Sequence, residues 1–253
     1  GGKDSQAMLI EVLRHVPANR VLVIYADMGE VAWAGALEHA RRQANDARCD
    51  FRVAKAVWKD GTSKDFLGMV EQRFAQDPTV PSFPSKNQRR CTSELKTGPI
   101  QTVIRHYMKA RGFTKVVECL GLRAQESDHR KGLSPFVYEN INLGKSGKPK
   151  NKLVAAGRRV WTWLPIHDKR VEWVFETIAQ ANQEPHWAYA AGNERMSCVF
   201  CLFGKVSDLR NGLKHRPELF AKYDALERKT GYTLSMHGKP LRELVGEAIA
   251  LAS

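Results

Sequence analysis

The sequence predicts an α/β fold: a mostly parallel twisted sheet with helices on both faces, Rossmann-like, and then a mainly helical C-terminal part. Three observations carry this. Continuous apolar runs at 20–29 (RVLVIYADMG) and 115–123 (KVVECLGLR) suit strands buried on both faces. Segments between them repeat apolar residues at helical spacing, as Met8, Leu9, Val12 and Leu13 do. Helix and strand patterns alternate along the chain, the order expected of parallel strands joined by crossover helices.

The elements follow in order. Pro17 stops the first helix, and RVLVIYADMG is the first strand, ending at Asp27 and Gly29. A helix is expected over 31–45, a strand around 51–57 and a helix over 64–76, which the three prolines of DPTVPSFPS interrupt. The next helix covers about 97–109, with Pro99 tolerated in its first turn. KVVECLGLR runs out into a loop at Arg123, and residues 130–152 read as irregular, mobile and basic. RRVWTWLPI is a late strand and KRVEWVFETIAQAN a helix; the final 50 residues are mainly helical, with a Gly-rich turn at HGKP. The expected division is a nucleotide-binding α/β domain over 1–167 and a helical region over 168–253.

Length and composition narrow the function classes. The 253 residues are 43% apolar and 26% charged, ordinary for a globular protein. No apolar run approaches the roughly 20 residues of a membrane span, and no leader of basic, apolar and small-residue order is visible. A cytoplasmic protein with no membrane contact is the expectation. Forty Lys+Arg against 27 Asp+Glu give a net charge of +13, and the stretch 144–159 (GKSGKPKNKLVAAGRR) holds six cations and no acid. Such a segment attracts polyanions, DNA or RNA among them. It equally suits a solvated loop beside an anionic small-molecule site, and no aromatic residue interleaves with its lysines to stack on bases.

The chain opens on GGKDS, Gly1 to Ser5. Two glycines permit a tight turn, and the helix behind them presents unpaired N–H groups and the positive end of its dipole. With the charge of Lys3 and the hydroxyl of Ser5, this composes an anion site; the alternative is a flexible terminus. In open parallel sheets ligands bind beyond the carboxyl ends of the strands. Gly1–Ser5, Asp27–Gly29 and Gly121–Arg123 all belong on that edge. A glycine loop of this kind is launched from a strand, so a strand is expected ahead of Gly1. Asp27 can accept hydrogen bonds from a ribose or adenine, or else cap the next helix. Arg123 can clamp a phosphate or sulfate in bidentate fashion with Glu126 holding it, or form a surface ion pair. Lys96 adds a second cation to that pocket, or is a solvated lysine at a helix start.

Four spaced stretches, GGKDS, YADMGEV (25–31), RRCTSELKTGPI (89–100) and LGLRAQES (120–127), together resemble the phosphoadenosine phosphosulfate (PAPS) reductase family. GGKDS resembles its phosphate-binding PP-loop, and the others its D-x-G turn, its Cys…K…P segment and its G-x-R-x-x-E/D-S loop. WLPIHDKRVEWV resembles its Pro-Ile and Trp helix entry. The family lies within the adenine nucleotide alpha-hydrolase-like set that includes N-type ATP pyrophosphatases. The resemblance implies that Gly1, Gly2, Lys3, Asp4 and Ser5 cradle phosphates, with Asp27, Gly29, Gly121 and Glu126 also lining the nucleotide. It implies Lys3, Lys96 and Arg123 as catalytic residues, ATP or APS/PAPS as the nucleotide, and Mg2+ on the phosphates with Asp4 as a ligand.

Five cysteines without an export signal do not suggest a disulfide framework. Cys198 and Cys201 have C-x-x-C spacing, which suits a metal, a cluster or a redox dithiol. In the APS-reductase branch a Cys-Cys pair and a later C-x-x-C hold a 4Fe–4S cluster; here the first pair is Arg90-Cys91. The resemblance therefore implies Cys91, Cys198 and Cys201 as three cluster ligands with one iron open. Zinc with a fourth ligand from His or Asp, a dithiol/disulfide pair, and plain buried cysteines are the alternatives, and Cys49 and Cys119 are expected in the core. Thioredoxin-linked members carry a cysteine in an E-C-G-L-H tail, whereas no cysteine follows Cys201 here. GNERMSCVFCLFG (192–204) instead resembles the subgroup of the PP-loop proteins of DNA phosphorothioation.

Three functions follow as expectations. The first is a sulfur-transfer enzyme that adenylates a nucleic-acid or other anionic acceptor, served by a sulfur-donor protein. The second is reductive cleavage of APS or PAPS to sulfite. The third is a non-catalytic subunit that senses nucleotide and binds nucleic acid.

Overall fold

The structure is a computed structural model that describes residues 1–235 and 238–246. Of the expected HGKP turn, His237 lies outside the described residues, while Gly238 has φ +72°. The elements run α1 (Lys3–His15), β1 (Leu22–Asp27), α2 (Ala36–Asp46), β2 (Asp50–Lys55), α3 (Phe66–Gln76), α4 (Arg90–Thr92) and α5 (Gly98–Arg111). Then come β3 (Lys115–Cys119), α6 (Asp128–Lys131), β4 (Phe136–Tyr138), α7 (Lys152–Ala155), β5 (Arg159–Trp163) and α8 (Val171–Gln180). The last are α9 (Trp187–Ala190), α10 (Val206–His215), α11 (Pro217–Thr230) and α12 (Leu241–Gly246).

The class is α/β, as the alternating pattern predicts. Its hydrogen-bonded strands form two sheets rather than one: β1 with β2, and β3-β5-β4. In the second sheet β3 and β5 are parallel, in register from Lys115↔Arg159 to Cys119↔Trp163, and β4 runs antiparallel to β5. Full burial of the first strand is not realised. Every residue of β1 is half-buried, because a two-stranded sheet consists only of edges.

The chain divides into two compact units that interleave in sequence. The first comprises 1–25, 37–52 and 100–186; the second comprises 26–36, 53–99 and 187 onward. In the first, α1 packs on α8 through Ala7, Ile166, Val174 and Ile178. Gln6, fully buried in the same helix, donates through Nε2 to the Gln183 side chain and the Glu184 carbonyl. A separate core gathers Ile104 and Met108 of α5, Leu153 of α7 and Val160 of β5.

The expected irregular stretch over 130–152 is ordered by local turn chemistry. Gly144 N–H donates to Lys148 O (2.8 Å), Gly147 turns at φ +72°, and Leu143 bridges Pro149, which makes a small hairpin. Buried Asn151 then caps α7 by accepting from Leu153 N–H at 2.9 Å. Lys145, Lys148 and Lys150 stand exposed on this frame.

The second unit builds one core from Trp33, Phe66, Leu95, Phe200, Leu219, Tyr223 and Leu241, among others. Asp65 caps α3 through Gly68 N–H (2.7 Å), and a π-turn over Ser93–Thr97 leads from α4 into the next helix at Gly98. Buried Glu227 of α11 accepts from Leu234 N–H and Leu241 N–H, each at 2.8 Å, and so fastens α12.

Gly121, just past β3, admits no side chain. A Cβ there would sit 2.9 Å from Asp4 O and 3.0 Å from Asp4 C, against backbone that cannot yield cheaply. Gly121→Ala is expected to destabilise by about 1–3 kcal/mol through overpacking. Urea denaturation of the variant checks this, and an unchanged midpoint would remove the close approach as a constraint.

Candidate functional site

The opening turn of α1 forms the first candidate site, wholly within the first unit. Gly2 is the N-cap, without a side-chain cap, so the first-turn amides lack intrahelical acceptors. Its φ of −85° is open to any residue, so the freedom of the glycine pair is not what shapes the turn at Gly2. Gly2 O accepts from Gln6 N–H (3.0 Å) and from Ser5 Oγ (2.8 Å); the Ser5 hydroxyl hydrogen is thus turned to the backbone.

Two buried cations converge here. Lys3 and Arg123 are each 5% exposed, and both meet Asp4: Arg123 Nε donates to Oδ1 at 2.5 Å, and Lys3 Nζ lies 3.4 Å from Oδ2. Arg123 Nη1 donates to Gln125 Oε1 at 2.7 Å. Glu126 Oε2 accepts from the Arg123 backbone N–H at 3.0 Å and from Arg130, which fixes the loop. The network of Lys3, Asp4, Arg123, Glu126 and Arg130 carries one cation more than its carboxylates, beside the positive end of a helix. Both Asp4 oxygens face cations, so as a magnesium ligand it does not fit without breaking this pairing; its geometry is that of a positioning group.

Asp27, Gly29, Lys96 and the three cysteines belong to the second unit. Asp27 Oδ1 accepts from Gly29 N–H at 2.8 Å in a local turn at the end of β1, where Gly29 turns at φ +62°, and Oδ2 lies 3.8 Å from Lys55 Nζ. The C-x-x-C segment is pinned by a bridge between Ala32 and Cys198, by Val199 N–H donating to Val31 O (2.8 Å), and by Gly212. A Cβ on Gly212 would come within 2.9 Å of Val199 Cγ1. Cys91, Cys198 and Cys201 act on one another electrostatically. Burial pushes the Cys198 thiol up to about 11 and raises Cys91, with the Lys96 charge opposing both. All five cysteines are free thiols. Among the described residues no three His, Cys, Asp or Glu side chains are gathered to hold a metal ion. The structure thus does not show the three-thiolate cluster that the resemblance implies, nor the zinc alternative.

Three features escaped the sequence reading. Arg130 reinforces Glu126 from one helical turn away, an i,i+4 pair visible only once that turn is known to be helical. Tyr223 is fully buried with a hydroxyl that has no hydrogen-bond partner among the described residues, and the same three thiols act on it. In the first unit, buried His39 and His186 meet edge-on at 5.4 Å, and the Gln43 amide lies 2.7 Å from His39 Nε2. Nothing local in the sequence marks that pair.

No protein-family model matches this sequence, and no curated protein matches it either. Among solved structures, the chain is similar to the phosphoadenylyl-sulfate (PAPS) reductase of Candida auris in its phosphate complex. That similarity has a TM-score of 0.44 and 14% identity, over 78% of this chain and 77% of that one. It is too distant to assign an activity. Among the described residues no helix is long and apolar enough to cross a membrane.

Burial, then the neighbouring His186, lowers the His39 pKa to about 4. The unfolded chain takes up this proton below about 6.5 and the native state resists it. Stability is therefore expected to fall as pH drops from about 6.5 towards about 4, with no further loss from this residue below that window. Chemical denaturation across the window should show a flatter pH dependence in His39→Gln than in the parent protein. Equal slopes would remove His39 as the cause.

Proposed function

We propose that the protein is a PP-loop enzyme of the PAPS-reductase type that grips the phosphate chain of an adenine nucleotide and acts in sulfur transfer. The observation that supports this reading is the buried convergence of Lys3 and Arg123 at an uncapped helix start, with Gly121 leaving room for the approach. With ATP, an oxygen of the acceptor attacks the α-phosphorus, the bond to the β-phosphate oxygen breaks, and pyrophosphate leaves. Arg123 then offers fixed donors to the oxygens on which charge develops, and Lys3 neutralises the departing phosphates. Asp4 holds both cations ready before the nucleotide arrives, and magnesium travels with the phosphates.

An anionic acceptor, a nucleic acid above all, suits the exposed lysines of the 142–150 hairpin and the absence of acid over 144–159. A partner protein supplies the sulfur. Places for Asp27, Gly29 and Lys96 about the nucleotide rest on the sequence resemblance. The proposed chemistry needs no iron–sulfur cluster. Reductive cleavage of APS or PAPS is the second reading, and the free thiols of Cys91, Cys198 and Cys201 are the feature that supports it.

Lys3→Ala and Arg123→Lys are expected to lower pyrophosphate release from ATP by about 100-fold or more, the usual cost of removing one preorganised charge or donor. Arg123→Lys keeps the charge and loses the planar fork, so it separates geometry from charge. Steady-state release and calorimetric ATP binding check this. Unchanged binding and turnover in folded Lys3→Ala protein would refute the nucleotide assignment. Sulfite release from APS or PAPS without ATP turnover would transfer the conclusion to the second reading.

A further inference from the structure

Apart from the cradle and the thiols, the second unit holds an open groove of about 480 Å3 lined by Arg73, Gln88, Arg89, Arg90 and Ser93. No acid lines it. Arg73 reaches it from α3, and the others come from the segment that leads through α4. Two of the three guanidiniums are already held in place. Arg89 Nε donates to Lys86 O at 3.2 Å, and its guanidinium lies over the Phe203 ring at 4.7 Å. Arg90 Nε donates to Glu94 Oε1 at 2.7 Å.

Three guanidiniums share this lining without a carboxylate, and that uncompensated charge carries the argument. Arg90 Nη1, beneath the surface, has no hydrogen-bond partner among the described residues. The nearby carboxylates are committed elsewhere. Glu94 is shared between Arg90 and Lys64, and Asp77, which acts on Arg73, accepts from the Thr79 hydroxyl and amide.

We propose that this groove is a second oxyanion site, independent of the cradle at α1, and that its ligand is a phosphate group. Planar guanidiniums match phosphate through paired N–H bonds, and Gln88 and Ser93 add neutral donors. The phosphate belongs either to a free phosphorylated ligand or to the backbone of a single strand of nucleic acid. Neither source requires the proposed activity.

Inorganic phosphate is the first probe, used on the full chain. Ser93→Asp places a carboxylate on the lining from an exposed position and deletes no arginine, and Arg89→Gln serves as a second variant. Phosphate is expected to raise the thermal midpoint of the parent protein, and Lys3→Ala should retain that part of the rise which Ser93→Asp and Arg89→Gln lose. An equal rise in the parent and both lining variants would overturn the proposal. Anisotropy of a labelled oligothymidylate then distinguishes the source. About tenfold weaker binding in Ser93→Asp assigns the site to strand phosphates. Unchanged strand binding beside a lost phosphate response assigns it to a free ligand.

Discussion

The pairing of Arg123 with Asp4 is the constraint on which the first unit's site depends. Both groups leave water when the chain folds, and a buried pair returns that cost only when its remaining polar atoms are also satisfied. Gln125 takes the other arm of the guanidinium and Glu126 secures the backbone behind it. Removing Asp4 would strand the Arg123 charge, at about 3–5 kcal/mol. The separation of 119 residues between partners makes the pair a tie between the start of the chain and the loop after β3. An incoming phosphate competes with Asp4 for donors already aimed and dehydrated, so little reorganisation remains at the moment of binding.

The second unit treats its chemistry in the opposite way. Dry surroundings keep the Cys91 and Cys198 thiols protonated, and Lys96 offsets only part of that burial. A thiol near 11 is a weak nucleophile at neutral pH, whatever its spacing in sequence. The hydroxyl of Tyr223, buried among Phe66 and Phe200, gives the same neighbourhood a polar atom with unused capacity.

Much of the fold was legible because its signals are local. Apolar runs located β1, β3 and β5, and helical spacing located α1, α3 and α8, with errors of a few residues at their ends. The start of α5 at Gly98 lies within a residue of the expected one, although the π-turn at Ser93–Thr97 ahead of it has no compositional mark. The order of the 142–150 hairpin was missed because charge was allowed to outweigh the turn chemistry of Gly144 and Gly147. In the site, charge type was readable but partnership was not. Glu126 was correctly tied to Arg123, yet to its backbone, and Ser5 turned its hydroxyl inward. Cys91, Cys198 and Cys201 could be grouped by spacing and resemblance, whereas whether three sulfurs meet depends on long-range packing that no short motif records. The groove arginines sit beside Cys91, where attention to the thiol concealed them.

The interleaved path of the chain bears on how the molecule is made. Polypeptide passes from one unit to the other at residues 25–26, 36–37, 52–53, 99–100 and 186–187. Neither body can be released by a single cut, and neither is whole until the ribosome has passed residue 186. Early segments such as α1 must wait for α8 to cover their apolar side. Many contacts of long sequence separation slow folding and leave adhesive surface open meanwhile. Nascent chains of this protein thus depend on completion of synthesis, and on whatever shields them until then.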